Sequence, residues 1–446
     1  MLRNWVAENR VLLRNIGSLV ATTGITSALG FGFWLSAARF FSPGSVGLAS
    51  AAISAMTIMS QFGMFGMGTL LLRELPKHLG ERTTMISTAT IAVAAVAGAI
   101  GLLFALAAGH AITGLSPLDQ SVPAIILFAA GVSVTAATLV LDAAMIGLLR
   151  GGLQLWRNTT LACTKLVALI AVGVLTHGSW MAIYGTWILG NLVSLVVLFF
   201  KTYSRQRPIK LLLPRFELLR GLGRSALSHH ALNQSLSIAS LTLPLIVTAM
   251  LSTAANAYFY MAWMIAGIAS LALSSVTYVL YAVGSAAPTS LARRTRSTLT
   301  MSLAIAVSAT VALLIVGHIV LQIIGPAYAQ HATASLRILI FASFPLIVRT
   351  HFVTLRRLAG KVFSTALIVS LGAGGEVAGA IIGAHLDGLT GLSAGWVLGM
   401  CVEGVAMSPV VWRVASGRRR LVVAGAVEQS QPEGMDGGYD LQAIGQ

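Results

Sequence analysis

Charge is scarce in this chain. Only 9% of its 446 residues are Asp, Glu, Lys or Arg, and 13 acidic residues stand against 29 basic ones. So little charge cannot cover a water-soluble surface, which uses roughly a quarter charged residues. Cysteine is nearly absent: Cys163 and Cys401 both fall inside apolar stretches, so no disulfide framework braces an outer domain. The sequence has no Gly-rich phosphate loop ending in Lys-Ser/Thr, no His-Glu-x-x-His and no Cys-x-x-Cys. ATP hydrolysis and metal chemistry by those motifs are therefore not encoded. The loops expected on the outer face are short, the longest being "HAITGLSPLDQ", which leaves no room there for a catalytic domain and argues against an enzyme.

What the chain has in abundance is apolar length. Hydrophobic residues make up 56%, and the mean hydropathy is +0.85. Stretches of about 20 apolar residues, the length that crosses a hydrocarbon layer about 30 Å thick, recur from end to end. About twelve are expected, near 15–38, 45–71, 84–109, 121–149, 158–176, 180–200, 225–248, 254–283, 298–323, 332–354, 361–384 and 391–412. The first is too long for a signal peptide core and is read as uncleaved. This defines an all-α integral membrane protein, because only helices and closed barrels satisfy their backbone groups in lipid. Basic residues in short loops stay on the cytoplasmic side. With both termini inside, 25 of the 29 Lys and Arg lie in cytoplasmic segments. Lys165, Arg337 and Arg349 fall within spans, and Arg39 is left as the one basic residue near the outer face. The net charge of +16 is thus mostly a topology signal, with attraction to anionic membrane lipids second; it requires no nucleic-acid partner.

The long basic connection "KTYSRQRPIKLLLPRFELLRGLGRS" divides the spans six and six. The reading is an N-terminal six-helix lobe (1–200), a cytoplasmic basic linker (201–220) with a short amphipathic piece, a C-terminal six-helix lobe (221–415), and a polar, disordered cytoplasmic tail (416–446). A shift of about 210 residues lays Arg14 on Arg224 and "FSPGSVGL" (41–48) on "LSTAANAY" (251–258). With an even number of spans per half, the repeats are parallel. Two such lobes around a central cavity near the midplane is a secondary-transporter plan.

An ionisable group inside a span costs at least about 2.5–3.5 kcal/mol, so each is a functional candidate unless paired. Six are present: Asp142, Lys165, Arg337, Arg349, Glu376 and Glu403. Matching depth across helical hairpins pairs Asp142 with Lys165, and Arg337 with Glu376. Glu376 also shares a face with Gly372, Gly379 and Gly383, a pattern for close helix approach. Arg349 and Glu403 either pair with each other or face an aqueous cavity. His229 and His230 start the seventh span, where one contacts headgroups and the other lines a vestibule, and His318 reads as a core or interface histidine. Gln61, Asn233, Gln234 and the Ser/Thr-rich faces of spans one and seven suit either a hydrated lumen or interhelical hydrogen bonds. Pro244 and Pro345 are expected to kink their helices.

Three segments carry a family resemblance: "AARFFSPGSVGLASA" after the first span, "LLRELP" (71–76) closing the second, and "SHHALNQS…TLPLIV…LSTAANAYFYMAWMIA" (228–266) opening the second half. They resemble the Wzx-type polysaccharide flippases of the multidrug/oligosaccharidyl-lipid/polysaccharide exporter superfamily. The resemblance implies translocation of an undecaprenyl-diphosphate-linked oligosaccharide to the outer leaflet of a bacterial inner membrane, alongside other polysaccharide-assembly membrane proteins. It also implies a cavity lined by cations, which makes Arg39, Arg349, Lys165 and His229 candidates for binding the polyprenyl-diphosphate-linked sugar. Arg39 reads equally as a snorkelling anchor. Asp142, Glu376 and Glu403 are candidates for carrying a coupling H+ or Na+, and no other cofactor is expected. The nearest rival is a cation-coupled drug exporter on the same fold, but spans one, two, seven and eight hold no Asp or Glu to meet a cationic cargo. A polysaccharide polymerase or ligase would be expected to carry catalytic residues on a large outer loop.

Overall fold

The computed structural model describes residues 10–78, 80–176, 178–203, 215–219, 224–286 and 290–418. The tail beyond 418, and the linker apart from 201–203 and 215–219, lie outside the described residues. Within the linker, Phe216–Leu219 forms a 3-10 turn, and the Arg215 amide donates to Thr88 Oγ1 at 3.0 Å.

The described residues form helices and no strands. In the first half these are α1 (Arg10–Phe40), α2 (Pro43–Gly63), α3 (Met67–Glu74), α4 (Arg82–Ala111), α5 (Val122–Gly147), α6 (Gly151–Leu175) and α7 (Trp180–Tyr203). The second half holds α8 (Arg224–Met250), α9 (Thr253–Ala266), α10 (Ile268–Ala286), α11 (Leu291–Ile324), α12 (Pro326–Leu339), α13 (Ser343–Leu358) and α14 (Val362–Ala415). Successive spans alternate in direction, so Arg73, Arg82, Arg150, Lys201, Arg293, Arg356, Lys361 and Arg413 collect at one end of the bundle. That is here the basic end; the opposite end is the far end.

Far-end turns are set by capping. Ser42, Ser121 and Ser252 each accept a backbone N–H from three residues on, and Pro43 and Pro123 sit in the first turns that follow, where the missing N–H costs nothing. Ser42 and Ser252 are 210 residues apart, so the repeat seen in the sequence is also a repeat of local structure. Three spans are broken. Phe65 and Gly66 take positive φ between α2 and α3, α9 and α10 bend by 41° at Gly267, and the 3-10 turn Ile340–Ala342 separates α12 from α13 ahead of Pro345. α8, by contrast, runs unbroken through Pro244.

α14 is two arms, because Asp387 and Gly388 leave helical geometry and turn the chain back on itself. The arms pack backbone to backbone: a Cβ on Gly383 would lie 1.9 Å from the Gly391 carbonyl oxygen. Only glycine permits that approach, which gives apolar helices close van der Waals contact where lipid supplies no hydrophobic drive. Among the described residues, nine helices are long and apolar enough to cross a membrane, or ten when the bent pair α9 and α10 counts as one. The expected twelve is not reached by this criterion, since α14 passes once despite its two arms and α1 is not in the count.

The buried core shows how the lobes meet. One large cluster joins first-lobe residues such as Phe33, Trp34, Val46 and Met56 to second-lobe residues such as Val247, Phe259 and Met261. At the basic end the second lobe has its own cluster, with Leu232, Leu280, Phe352, Leu355 and Met407, and no first-lobe residue in it. The shared cluster therefore joins the lobes towards the far end, while at the basic end α3 still meets α8 beside the second lobe's own cluster.

Candidate functional site between the lobes

The far-end seam is closed by close backbone contact. Asn256, fully buried on α9, donates through Nδ2 to the Gly47 carbonyl at 2.7 Å and to Ser50 Oγ at 3.0 Å, and Ser50 donates to that same carbonyl. A Cβ on Gly47 would sit 1.6 Å from the Thr253 carbonyl oxygen, so no side chain fits there while the seam is shut. Arg39 Nη2 donates to the Ile323 carbonyl at 2.9 Å, tying the end of α1 to the end of α11. Towards the basic end a shallow recess, too narrow to hold water in this conformation, is lined by Ile58, Gln61 and Phe62 of α2 and by Gln234, Ile238 and Leu241 of α8. Gln61 and Gln234 face one another across this recess between the lobes. Gly47→Val should force the seam apart. A cysteine placed at Ser50 should change from resistant to reactive towards a membrane-impermeant thiol reagent added from the far side, and an unchanged labelling rate would contradict the seam.

Between the sealed seam and the recess lies an aromatic cluster that bridges the lobes. Trp34 of α1 meets Tyr260 of α9 at 4.6 Å between ring centroids, while Phe33 stands edge-on to Trp34 and to Trp187 of α7 at 5.3 and 5.5 Å. Into it points Lys165, whose Nζ is 3.3 Å from the Trp187 centroid and 5.1 Å from that of Phe33. Lys165 is only 6% exposed, and among the described residues no carboxylate lies within ion-pair distance of it. Cation–π contact offsets part of the burial cost, by about 2 kcal/mol at a desolvated ring. No carboxylate offsets the rest of that cost.

Two expected pairings are wrong. Asp142 does not pair with Lys165; it is gripped by both Arg157 Nε, at 3.0 Å, and Arg157 Nη2, with Asn158 Nδ2 donating at 3.2 Å. The hairpin turns at Leu149, so Asp142 and Arg157 lie at matched depth, while Lys165 is eight residues, or about 12 Å, deeper. Arg157, assigned by sequence to a cytoplasmic segment, is consequently buried. Nor does Arg337 meet Glu376. Arg337 is exposed on α12, and the 3-10 turn after it resets the helix register.

Glu376 belongs instead to a buried triad within the second lobe. Arg349 Nη2 is 2.9 Å from Glu376 Oε1, and its Nε is 3.3 Å from Glu403 Oε2. The three side chains are 7%, 1% and 4% exposed. Trp396 Nε1 donates to Glu376 Oε2 at 2.9 Å. Of the two alternatives for Arg349 and Glu403, pairing is the one realised, and neither lines the recess between α2 and α8. His229 is half-buried on α8, and His318 contacts Thr333 Oγ1 at 3.0 Å. Sequence reasoning missed Asn256, the aromatic cluster and Arg357. Arg357, counted as a topology signal, donates from Nη2 to Asn233 Oδ1 at 2.8 Å and so braces α13 against α8. The repeat alignment of 41–48 with 251–258 was the one signal that could have singled out Asn256.

Solved structures place this architecture. The fold is that of the multi-span membrane transporters of the MOP superfamily. It matches the inward-facing conformation of a multidrug resistance MATE family transporter with TM-score 0.67 at 15% identity, over 90% of this chain and 99% of that one. A MOP superfamily transporter from Pyrococcus furiosus Vc1 (DSM3638) matches with TM-score 0.64 at 13% identity, over 92% and 97%. An outward-facing MATE family transporter matches with TM-score 0.60 at 13% identity, over 92% and 96%. Residues 12–222, the first lobe and the linker, match the family described as "Polysaccharide biosynthesis protein", so the resemblance to polysaccharide flippases rests on more than the three short segments. Among curated protein sequences no relative matches.

Proposed function

We propose that this protein exports a polyprenyl-diphosphate-linked oligosaccharide, an anionic precursor of a cell-surface polysaccharide, from the inner to the outer leaflet of a bacterial cytoplasmic membrane. The termini and the basic end face the cytoplasm in this reading. Lys165 carries it: a buried amine with no carboxylate partner, set against the first-lobe rings Phe33 and Trp187 directly behind the Trp34–Tyr260 contact between the lobes, where a diphosphate entering as the lobes part would meet a basic group that no carboxylate competes for. The rings of Trp34, Trp187 and Tyr260 suit the apolar faces of sugars. Gln61 and Gln234, which face one another across the recess between α2 and α8, would offer donors and acceptors to hydroxyls as the lobes part, since hydroxyls cannot shed water into hydrocarbon without replacement bonds. Outward movement of an anion across an inside-negative membrane gains about 2.3 kcal/mol per charge per 100 mV, so ATP is not required. Arg39 at the far mouth is placed to receive the diphosphate once the seam opens.

A multidrug exporter with a cationic cargo is the competing reading, since a fold neighbour is described as a multidrug transporter. It is disfavoured because Asp142, Glu376 and Glu403 are each held by an arginine rather than offered to the lumen. The Pyrococcus furiosus relative is described by a binding pocket of reverse polarity that suggests a different function, which supports using pocket charge to judge cargo on this fold. The test is the lipid-linked sugar pool in cells. Deletion should accumulate undecaprenyl-linked oligosaccharide on the cytoplasmic face, and an unchanged pool with altered drug tolerance would favour the rival.

A further inference from the structure

Arg357 stands in the last turn of α13 at the basic end, and its surroundings differ from those of its neighbour in sequence. Arg356 donates to Thr365 Oγ1 at 2.8 Å and to Ser364 Oγ at 2.6 Å and lies over the Phe352 ring, so it fastens α13 to the start of α14. Arg357 turns the other way. It is half-buried and reaches α8, where its Nη2 donates to Asn233 Oδ1 at 2.8 Å, while its Nε is buried with no hydrogen-bond partner. Among the described residues no carboxylate pairs with it. The groups around it carry no negative charge. Tyr278 and Tyr281 of α10, 70% and 44% exposed, lie within electrostatic range of the guanidinium, as does His229, one turn before Asn233 on α8.

Three helices, α8, α10 and α13, thus bring one guanidinium, one amide, one imidazole and two phenols to a single place at the basic end. Asn233 is followed directly by Gln234, which lines the recess against α2 of the other lobe, so this place borders the cleft between the lobes. A guanidinium bonded only to a neutral amide keeps its whole positive charge, and half-burial has already removed part of its water. A phosphate answers that charge as an amide oxygen cannot, through parallel N–H to O bonds that fit the planar guanidinium fork. The phenol hydroxyls supply further donors to the same anion. A diphosphate carries more charge and more acceptor oxygens than the single phosphate of a membrane lipid, which suits a place where donors converge from more than one helix.

We infer, resting on the reading of the cargo as a polyprenyl-diphosphate-linked sugar, that Arg357 with Asn233, Tyr278 and Tyr281 forms an entry subsite that takes the diphosphate at the basic end before Lys165 receives it. Lys165 lies deeper, 14 residues along α6 from Gly151, or roughly 21 Å from that end. With the recess closed to water, Lys165 is shut away at 6% exposure, whereas the tyrosines beside Arg357 are open to the surroundings. Capture at Arg357 therefore comes first, and the lobes part afterwards. The phosphate takes Arg357 from Asn233, which loosens the brace between α13 and α8 in the same step.

The test measures binding of radiolabelled farnesyl diphosphate, a short polyprenyl diphosphate, to the purified full chain in detergent, with phosphatidylglycerol as a competing lipid phosphate and farnesol as the tail without the anion. The wild-type protein should bind the diphosphate saturably, farnesol should not displace it, and phosphatidylglycerol should do so only at much higher concentration. Arg357→Gln should weaken binding by about tenfold or more, the loss expected for a hydrogen bond to a charged group, while Lys165→Met retains it. Asn233→Ala removes the brace but leaves the guanidinium, so binding there should be unchanged or tighter. In liposomes, Arg357→Gln should raise the cargo concentration needed for half-maximal export and nearly keep the maximal rate. Binding in Arg357→Gln equal to wild type, or no saturable binding to the wild-type protein, overturns the inference. So does a loss in Asn233→Ala as large as in Arg357→Gln, which makes Arg357 a brace only, or displacement by phosphatidylglycerol as ready as by unlabelled diphosphate, which makes it a headgroup anchor. Should Arg357→Gln not fold, the exposed pair Tyr278→Phe and Tyr281→Phe decides, with affinity expected to fall by about threefold or more for the lost hydroxyls and an unchanged affinity overturning the subsite. Failure of the subsite leaves Lys165 and the flippase reading standing, whereas absence of export by the wild-type protein in those liposomes fails that reading itself.

Discussion

Lys165→Met is expected to stop export while leaving the protein folded and abundant. Methionine matches the length and flexibility of lysine and packs well against Trp187 and Phe33. Removing an unpaired buried cation relieves a desolvation cost, so thermal stability in detergent should be unchanged or raised. Transport should not survive. An ammonium about 4 Å from a phosphate contributes about 4 kcal/mol at an effective dielectric of 20 before desolvation. A loss of about 10²-fold in export rate, or about 2.7 kcal/mol, follows if roughly two thirds of that is realised. Lys165→Arg keeps the charge but puts a planar fork into a cage shaped for a compact head, so partial activity is expected. Export near the wild-type rate in Lys165→Met, at matched membrane abundance, would remove the cationic site from the account.

Arg349→Met should have the opposite signature. The guanidinium neutralises two carboxylates that are 1% and 4% exposed, and its removal leaves them facing each other in the bundle interior. Breaking a buried ionic cluster by deleting one partner costs about 3–5 kcal/mol, a large share of the 5–15 kcal/mol typical of a folded domain. The variant should melt at markedly lower temperature and disappear from the membrane. Combining it with Glu376→Gln and Glu403→Gln should restore most of the stability, because three neutral side chains of similar volume replace the network. Fluorescence-detected size-exclusion chromatography after a heat step measures both. Equal loss in the single and triple variants would mean that the triad holds its helices by shape and not by charge.

Much of this architecture was legible from amino-acid type alone. Apolar runs must be helical in lipid, and the basic residues fall at alternate turns, so an all-helical bundle with its basic end on one side follows directly. The Ser42 and Ser252 caps made the internal repeat visible. Partner assignment was where reasoning by depth failed. Counting residues from a turn fixes height along the membrane normal but not rotation about the helix axis, and Arg337 and Arg349, twelve residues apart, lie about 120° apart round an ideal helix. A small error at the turn was enough to choose Lys165 over Arg157 for Asp142. The residues that most define the site were hidden for another reason. Asn256, Trp34, Trp187 and Tyr260 are ordinary in an apolar chain, and only the packing of α1 and α2 against α9 gives them a place at the seam.

The most direct measurement uses purified protein in liposomes containing undecaprenyl-diphosphate-linked oligosaccharide, with the pool reached by a membrane-impermeant pyrophosphatase followed over time. The inner-leaflet pool should become accessible in vesicles holding wild-type protein and remain protected in empty vesicles and in those holding Lys165→Met. Protection with the wild-type protein as complete as in empty vesicles, together with uptake of a cationic dye by the same vesicles, would contradict the account.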